Sequence, residues 1–149
     1  MIDKETLSKY RAEVIVKFIN IEKIINAIIS QHYFKRVVLP FYLEVLYDEY
    51  FTFALRRRIL EKIIKDTNKQ KVEDLNRLNT IRNYFAHCDL EIFEASDKEK
   101  KCGKIVDPRA IEKAIDFNRL YSEFMQKERG VLEYLIGLYE SLGGVLSKE

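Results

Sequence analysis

Val14, Phe18, Ile21, Ile25 and Ile28 recur at spacings of four, three, four and three residues. A strand alternates with period two and would scatter such a set over both faces, whereas a helix gathers it into one seam. The spacing predicts a first helix over about residues 3–33, packed against other helices, with Ile15, Ile24 and Ile29 widening the buried side. Five glycines and two prolines in 149 residues leave few tight turns, which disfavours a sandwich or barrel. Hydrophobic residues at 47% and charged residues at 34% fit a globular helical protein rather than a disordered chain. The length suits a single domain, 1–149, with a core of its own.

Further along, Pro40 is placed to open a second helical region. The aromatics Phe41, Tyr42, Tyr47, Tyr50, Phe51 and Phe53 that follow read as core or dimer contact rather than a base-stacking platform. Arg56, Arg57 and Arg58 point in three directions around a helix: a solvated face with one arginine paired, any of them able to touch a phosphate. Residues 66–71 read as a polar linker. Val72, Leu75, Leu78, Ile81, Phe85 and Ala86 then share one broad face of the next helix. Leu90-Glu91-Ile92-Phe93 and Lys104-Ile105-Val106 flank a polar stretch, read as a long loop or a short hairpin with Gly103 at the turn. There Lys98, Lys100, Lys101 and Lys104 outnumber Asp97 and Glu99, giving a basic tip that is either a solvated loop or an RNA-backbone contact. Asp107-Pro108 reads as a helix start, with Ile111, Ala114, Phe117, Tyr121 and Phe124 facing inward. Gly130 marks a break or bend, Val131, Leu135, Leu138 and Leu142 continue the stripe, and Gly143-Gly144 ends it. The expected fold is all-α: an up-and-down bundle of four or five helices, with a long loop or short hairpin after the helix that ends near residue 87.

A net charge of +2 exerts no general pull on nucleic acid, so any RNA contact must come from a local patch. Cys88 and Cys102 are too few for a disulfide scaffold and read as free thiols in a reducing compartment. A zinc site from His87, Cys88 and Cys102 lacks a fourth ligand and paired spacing, so neither metal nor cofactor is expected. His32 reads as a surface histidine. The start, Met1-Ile2-Asp3-Lys4-Glu5, does not look like a secretory leader, and Lys17, Glu22 and Lys23 interrupt the most apolar run; no membrane association and a cytoplasmic location are the expectations.

The segment 75–87 carries the chemistry. Arg82 falls near the middle of its apolar face, where a charge is costly unless something pairs with it. Along one edge run Asn76, Asn79, Asn83 and His87; asparagine is a poor helix former, so three of them leading to a histidine suggest hydrogen-bonding work. The pattern Arg82-Asn83-x3-His87, on a leucine-rich helix ending Leu-Asn-x2-Arg-Asn-x-Phe-Ala-His, resembles the Arg-x4–6-His signature of the HEPN superfamily. The likeness is specific over about residues 72–90 and architectural elsewhere. It implies a small helical bundle that dimerises, and for many members a metal-independent ribonuclease that acts as a toxin or in defence against phage. Where some members carry a tyrosine two residues after the histidine, modified by a partner nucleotidyltransferase, this chain has Asp89, which can instead orient His87.

The residue types suit that chemistry. RNA supplies its own nucleophile, the 2′-hydroxyl, so cleavage needs a base, a stabiliser of phosphorane charge and a proton for the leaving oxygen. Imidazole serves proton transfer near neutrality and guanidinium grips non-bridging oxygens, while Asn83 can hold either partner. Arg82 and His87 lie about 140° apart around an ideal helix, so one copy does not aim both at one phosphate. Two copies crossing on a two-fold axis would, with the apolar stripe serving partly as dimer surface. At a helix C-terminus the dipole favours imidazolium and Arg82 opposes it, which leaves acid and base roles open. The expected function is a homodimeric endoribonuclease with an RNA substrate and an antitoxin protein as candidate partner. The competing reading is a non-catalytic helical dimer that binds nucleotide, nucleic acid or a protein.

Overall fold

The computed structural model describes residues 2–65, 67–87, 104–106 and 114–146. They form an all-α bundle: α1 (Lys4–Phe34), a single turn α2 (Leu39–Phe41) running into a π turn (Tyr42–Leu46), α3 (Phe53–Ile64), α4 (Lys69–His87) and α5 (Phe117–Ser141). Between α4 and α5, β1 (Lys104–Val106) and β2 (Ala114–Asp116) pair antiparallel, Ile105 opposite Ile115. The chain divides into two compact units, one of Met1–Phe18 and Asn76–Glu128, the other of Ile19–Leu75 and Arg129–Glu149. Among the described residues no helix is long and apolar enough to cross a membrane.

In the first unit, Asp3 caps α1 by accepting from the Thr6 N–H at 2.7 Å. Leu7, Val14 and Phe18 of α1, Leu78, Ile81 and Phe85 of α4, and Phe117 and Phe124 of α5 are buried; each such side chain contributes about 1.5–3 kcal/mol. Pair contacts fix the directions. Tyr10 stacks on Tyr121 at 3.7 Å, and further along Lys17 meets Glu128 at 3.7 Å, so α1 and α5 run parallel. Phe85 packs edge-on against Phe117, and Arg77 grips Glu123 with two bonds of 2.6 and 2.9 Å, so α4 runs opposite to both. The Arg77 fork holds the Glu123 carboxyl below its usual range, and the carboxylate raises Arg77 in return. Tyr121 donates to Glu13, and that bond, with burial behind it, pushes its phenol up to about 12.

The start of α5 departs from expectation. Asp107 and Pro108 lie outside the described residues, but Ala114, expected on the inward face of a helix, belongs to β2 instead. The helix begins at Phe117 because Asp116 caps it, accepting from the Arg119 N–H at 3.1 Å. Among the described residues β1 pairs with a segment downstream of it, while 90–93 and Gly103, the other arm and the turn of the expected hairpin, lie outside the described residues.

In the second unit, Ile21, Ile25, Ile28 and Ile29 of α1 are buried, and Leu60 and Ile64 of α3, Leu75 of α4, and Val131 and Leu135 of α5 meet around a small apolar cavity. Ser30 turns the chain after α1 by donating to Arg36 O (3.1 Å) and accepting from the Val38 N–H (2.9 Å). Gln31 donates to Lys35 O and to Leu142 O, both at 3.0 Å, tying the ends of α1 and α5. Helix α5 closes as expected at the glycine pair: Gly143 takes φ +89°, and the N–H groups of Gly143 and Gly144 return to Glu140 O and Tyr139 O. Gly130 does not break the helix, which runs on to Ser141; a Cβ there would lie 3.1 Å from Lys71 Nζ. The expected linker at 66–71 is shorter, since Lys65 turns left-handed (φ 53°) and Asn68 already caps α4 by accepting from the Lys71 N–H. The aromatic run is not core either. The π turn breaks the 3.6-residue period after one turn of α2, and Tyr50 stands 82% exposed while Leu46 alone of the turn is buried.

Candidate functional site at the end of α4

The last three turns of α4 hold every residue of the Arg-Asn-His set. Leu78, Ile81 and Phe85 are fully buried within the chain's own first unit, so the apolar stripe is core and not, as expected, partly a dimer surface. Arg82 sits at its edge, half-buried. Its Nη2 donates to Asn79 Oδ1 at 3.0 Å and its Cζ lies 4.8 Å above the Phe18 ring. Its Nε is buried with no partner among the described residues. Asn79 and the Phe18 face therefore compensate the charge that the sequence placed in an apolar stripe. Asn83, one position on, is half-buried; His87 is exposed and closes the helix. Neither side chain has a hydrogen-bond partner among the described residues, and no bond joins Arg82 to His87.

Other candidates separate. Arg56 belongs to the second unit and is only 9% exposed: its Nε donates to Asn26 Oδ1 at 2.7 Å, its Nη2 to Leu46 O, and Phe51 and Glu22 flank it at 5.2 and 3.8 Å. Its guanidinium is committed to protein and has no face left for a phosphate, which corrects its place among the RNA contacts. Burial pulls its pKa down despite Glu22. Arg57 pairs with Glu61 at 3.6 Å, while Arg58 is exposed and lines an open groove with Glu61, Lys62 and Lys65. Lys104 is the first residue of β1, opposite Asp116. Asp89, Lys98, Lys100 and Lys101, and with them the thiols Cys88 and Cys102, lie outside the described residues. His32 is half-buried, edge-on to Tyr33, and its Nδ1 has no partner among the described residues.

One residue was missed. Arg11, from α1, donates through Nη2 to Ala86 O at 3.3 Å, the carbonyl of the peptide that joins Ala86 to His87. The signal was available: positions 11, 14, 18, 21 and 25 continue the α1 seam, so an arginine occupies a core-facing position there just as Arg82 does on α4.

No protein-family model matches the chain, and neither the curated proteins nor the solved structures contain a significant match to it.

Proposed function

We propose that the protein is a metal-independent endoribonuclease that acts as a homodimer, and that it serves in the cytoplasm as the toxin of a toxin–antitoxin or phage-defence system. One observation carries this reading: a helix ending in an exposed histidine, with an arginine and an asparagine held on the turns before it. The spacing of these residues along the helix is that of the HEPN-like signature, and the resemblance implies a composite site to which two protomers contribute. In the reaction the 2′-oxygen of one ribose attacks the adjacent phosphorus as its proton leaves to a base. The P–O5′ bond breaks, and the 5′-oxygen takes a proton, giving a 2′,3′-cyclic phosphate and a 5′-hydroxyl. Imidazole suits either proton transfer, and a guanidinium suits the phosphorane oxygens. Since this set needs no Lewis acid, cleavage is expected to survive chelator.

The test is incubation of purified protein with an RNA pool, followed by analysis of fragment ends. Fragments with cyclic phosphate ends, lost in Arg82→Ala and in His87→Ala while both variants stay folded, support the proposal. Binding without any cutting overturns it in favour of the non-catalytic module, in which His87→Ala leaves biological activity intact. An antitoxin is the protein partner that this reading expects.

A further inference from the structure

Arg82 is poorly placed to serve His87 in its own protomer. It stands five residues upstream, about 140° around the helix, and Phe18 and Asn79 already engage its guanidinium. Arg11 is differently placed. Its guanidinium reaches across from α1 to the last peptide before His87 and donates one bond to Ala86 O at 3.3 Å. A guanidinium carries five N–H donors, and the others on Arg11 have no partner among the described residues. The residue is half-buried, and its bond to Ala86 O restrains the fork before any ligand arrives.

Helix-end electrostatics point the same way. His87 occupies the C-terminus of α4, where unpaired carbonyls and the partial negative pole repel an anion. A phosphodiester can sit beside that imidazole only if a cation offsets the carbonyls. Arg11 bonds to one of those carbonyls and adds a full positive charge at the same turn.

We propose that Arg11 is the phosphate-binding residue at the His87 end of the site, gripping an RNA phosphodiester in the same protomer. The assignment rests on the ribonuclease reading. The plain alternative is a helix cap, which a lysine would satisfy about as well, because a carbonyl needs one donor and no fork.

The experiment compares wild type, Arg11→Gln and Arg11→Lys by steady-state cleavage of a labelled single-stranded RNA taken from the wild-type cleavage map. Binding of the same RNA is measured over a salt series in the His87→Ala background, and urea unfolding gives the folded fraction of each protein. Arg11→Gln is expected to raise KM and lower kcat/KM about tenfold or more per folded molecule. It is also expected to flatten the salt dependence of binding by about one phosphate contact. Arg11→Lys is expected to recover the salt dependence but only part of the rate, since a point charge replaces a planar fork. Arg11→Gln activity equal to wild type per folded molecule overturns the assignment while leaving the ribonuclease reading intact. So does full recovery by lysine, the mark of a cap. A wild type that neither binds nor cuts RNA removes the ribonuclease reading, and Arg11 with it.

Discussion

Methionine in place of Arg56 is expected to cost the protein about 3–5 kcal/mol, the range for removing one partner of a buried charged network. The figure follows from the partners left behind. Asn26 Oδ1 and Leu46 O are acceptors met by the guanidinium in a buried setting, at 2.7 Å for the asparagine. Each loses its donor, at about 1–3 kcal/mol for a buried group left unsatisfied. Glu22, part-exposed and 3.8 Å away, rehydrates at little cost. The stacking over Phe51 is partly replaced by the methionine thioether. Two hydrogen bonds, to Asn26 Oδ1 and Leu46 O, meet the guanidinium directly, while Glu22 stands further off at 3.8 Å. Urea unfolding followed by circular dichroism measures the loss, with Arg58→Met as the control: Arg58 is exposed and should change stability by less than about 0.5 kcal/mol. Asn26→Leu combined with Arg56→Met should cost less than the two single changes added, because each single change strands the other's partner. Equal losses for Arg56→Met and Arg58→Met, or strict additivity in the double variant, would refute the argument.

Gly137 lies mid-helix and exposed in α5, and a Cβ added there would meet nothing within 4 Å, so Gly137→Ala should raise stability by about 0.5–1 kcal/mol in the same urea assay. Gly144→Ala should do the reverse, since its Cβ would run into the Tyr139 ring. Glu123 has a depressed carboxyl pKa in the folded state, so its pairing with Arg77 contributes above the ordinary glutamate value and is lost as pH falls through the folded one. The pair is part-exposed and worth about 1 kcal/mol or less; the stability gap between wild type and Glu123→Gln should therefore shrink between about pH 5 and pH 3, and a gap constant with pH would count against it. His87→Ala should abolish cleavage while leaving the urea midpoint unchanged, because the side chain is exposed and has no partner among the described residues.

How far the sequence could be read depended on whether a residue's neighbours were near in the chain. The α1 seam and the α4 stripe have period 3.6 built into them, and Val14, Phe18, Ile21, Ile25 and Ile28 are all buried as read. The glycine pair at the end of α5 was equally legible, because a left-handed cap needs residues of that kind. The start of α5 was not legible, because Asp116 caps it and the preceding Ala114–Asp116 pairs with Lys104–Val106, which is not a local signal. The arginine triplet could not be sorted in advance, since only the fold brings Asn26 and Leu46 O to Arg56 and leaves Arg58 in water. The same holds for Arg82, whose compensation by Phe18 depends on α1 packing against α4.

The opposed course of α4 gives the first unit a lopsided field. Both of its flanking helices begin where it finishes: Phe117, the opening residue of α5, packs on Phe85, and Arg11, two turns into α1, reaches Ala86. At that end of the unit the amide poles of two helices therefore face the carbonyl pole of one. Asp3 and Asp116 sit on those two amide poles, so the backbone only partly offsets the carbonyl pole and the full charge of Arg11 is what an incoming polyanion meets at the last turn of α4.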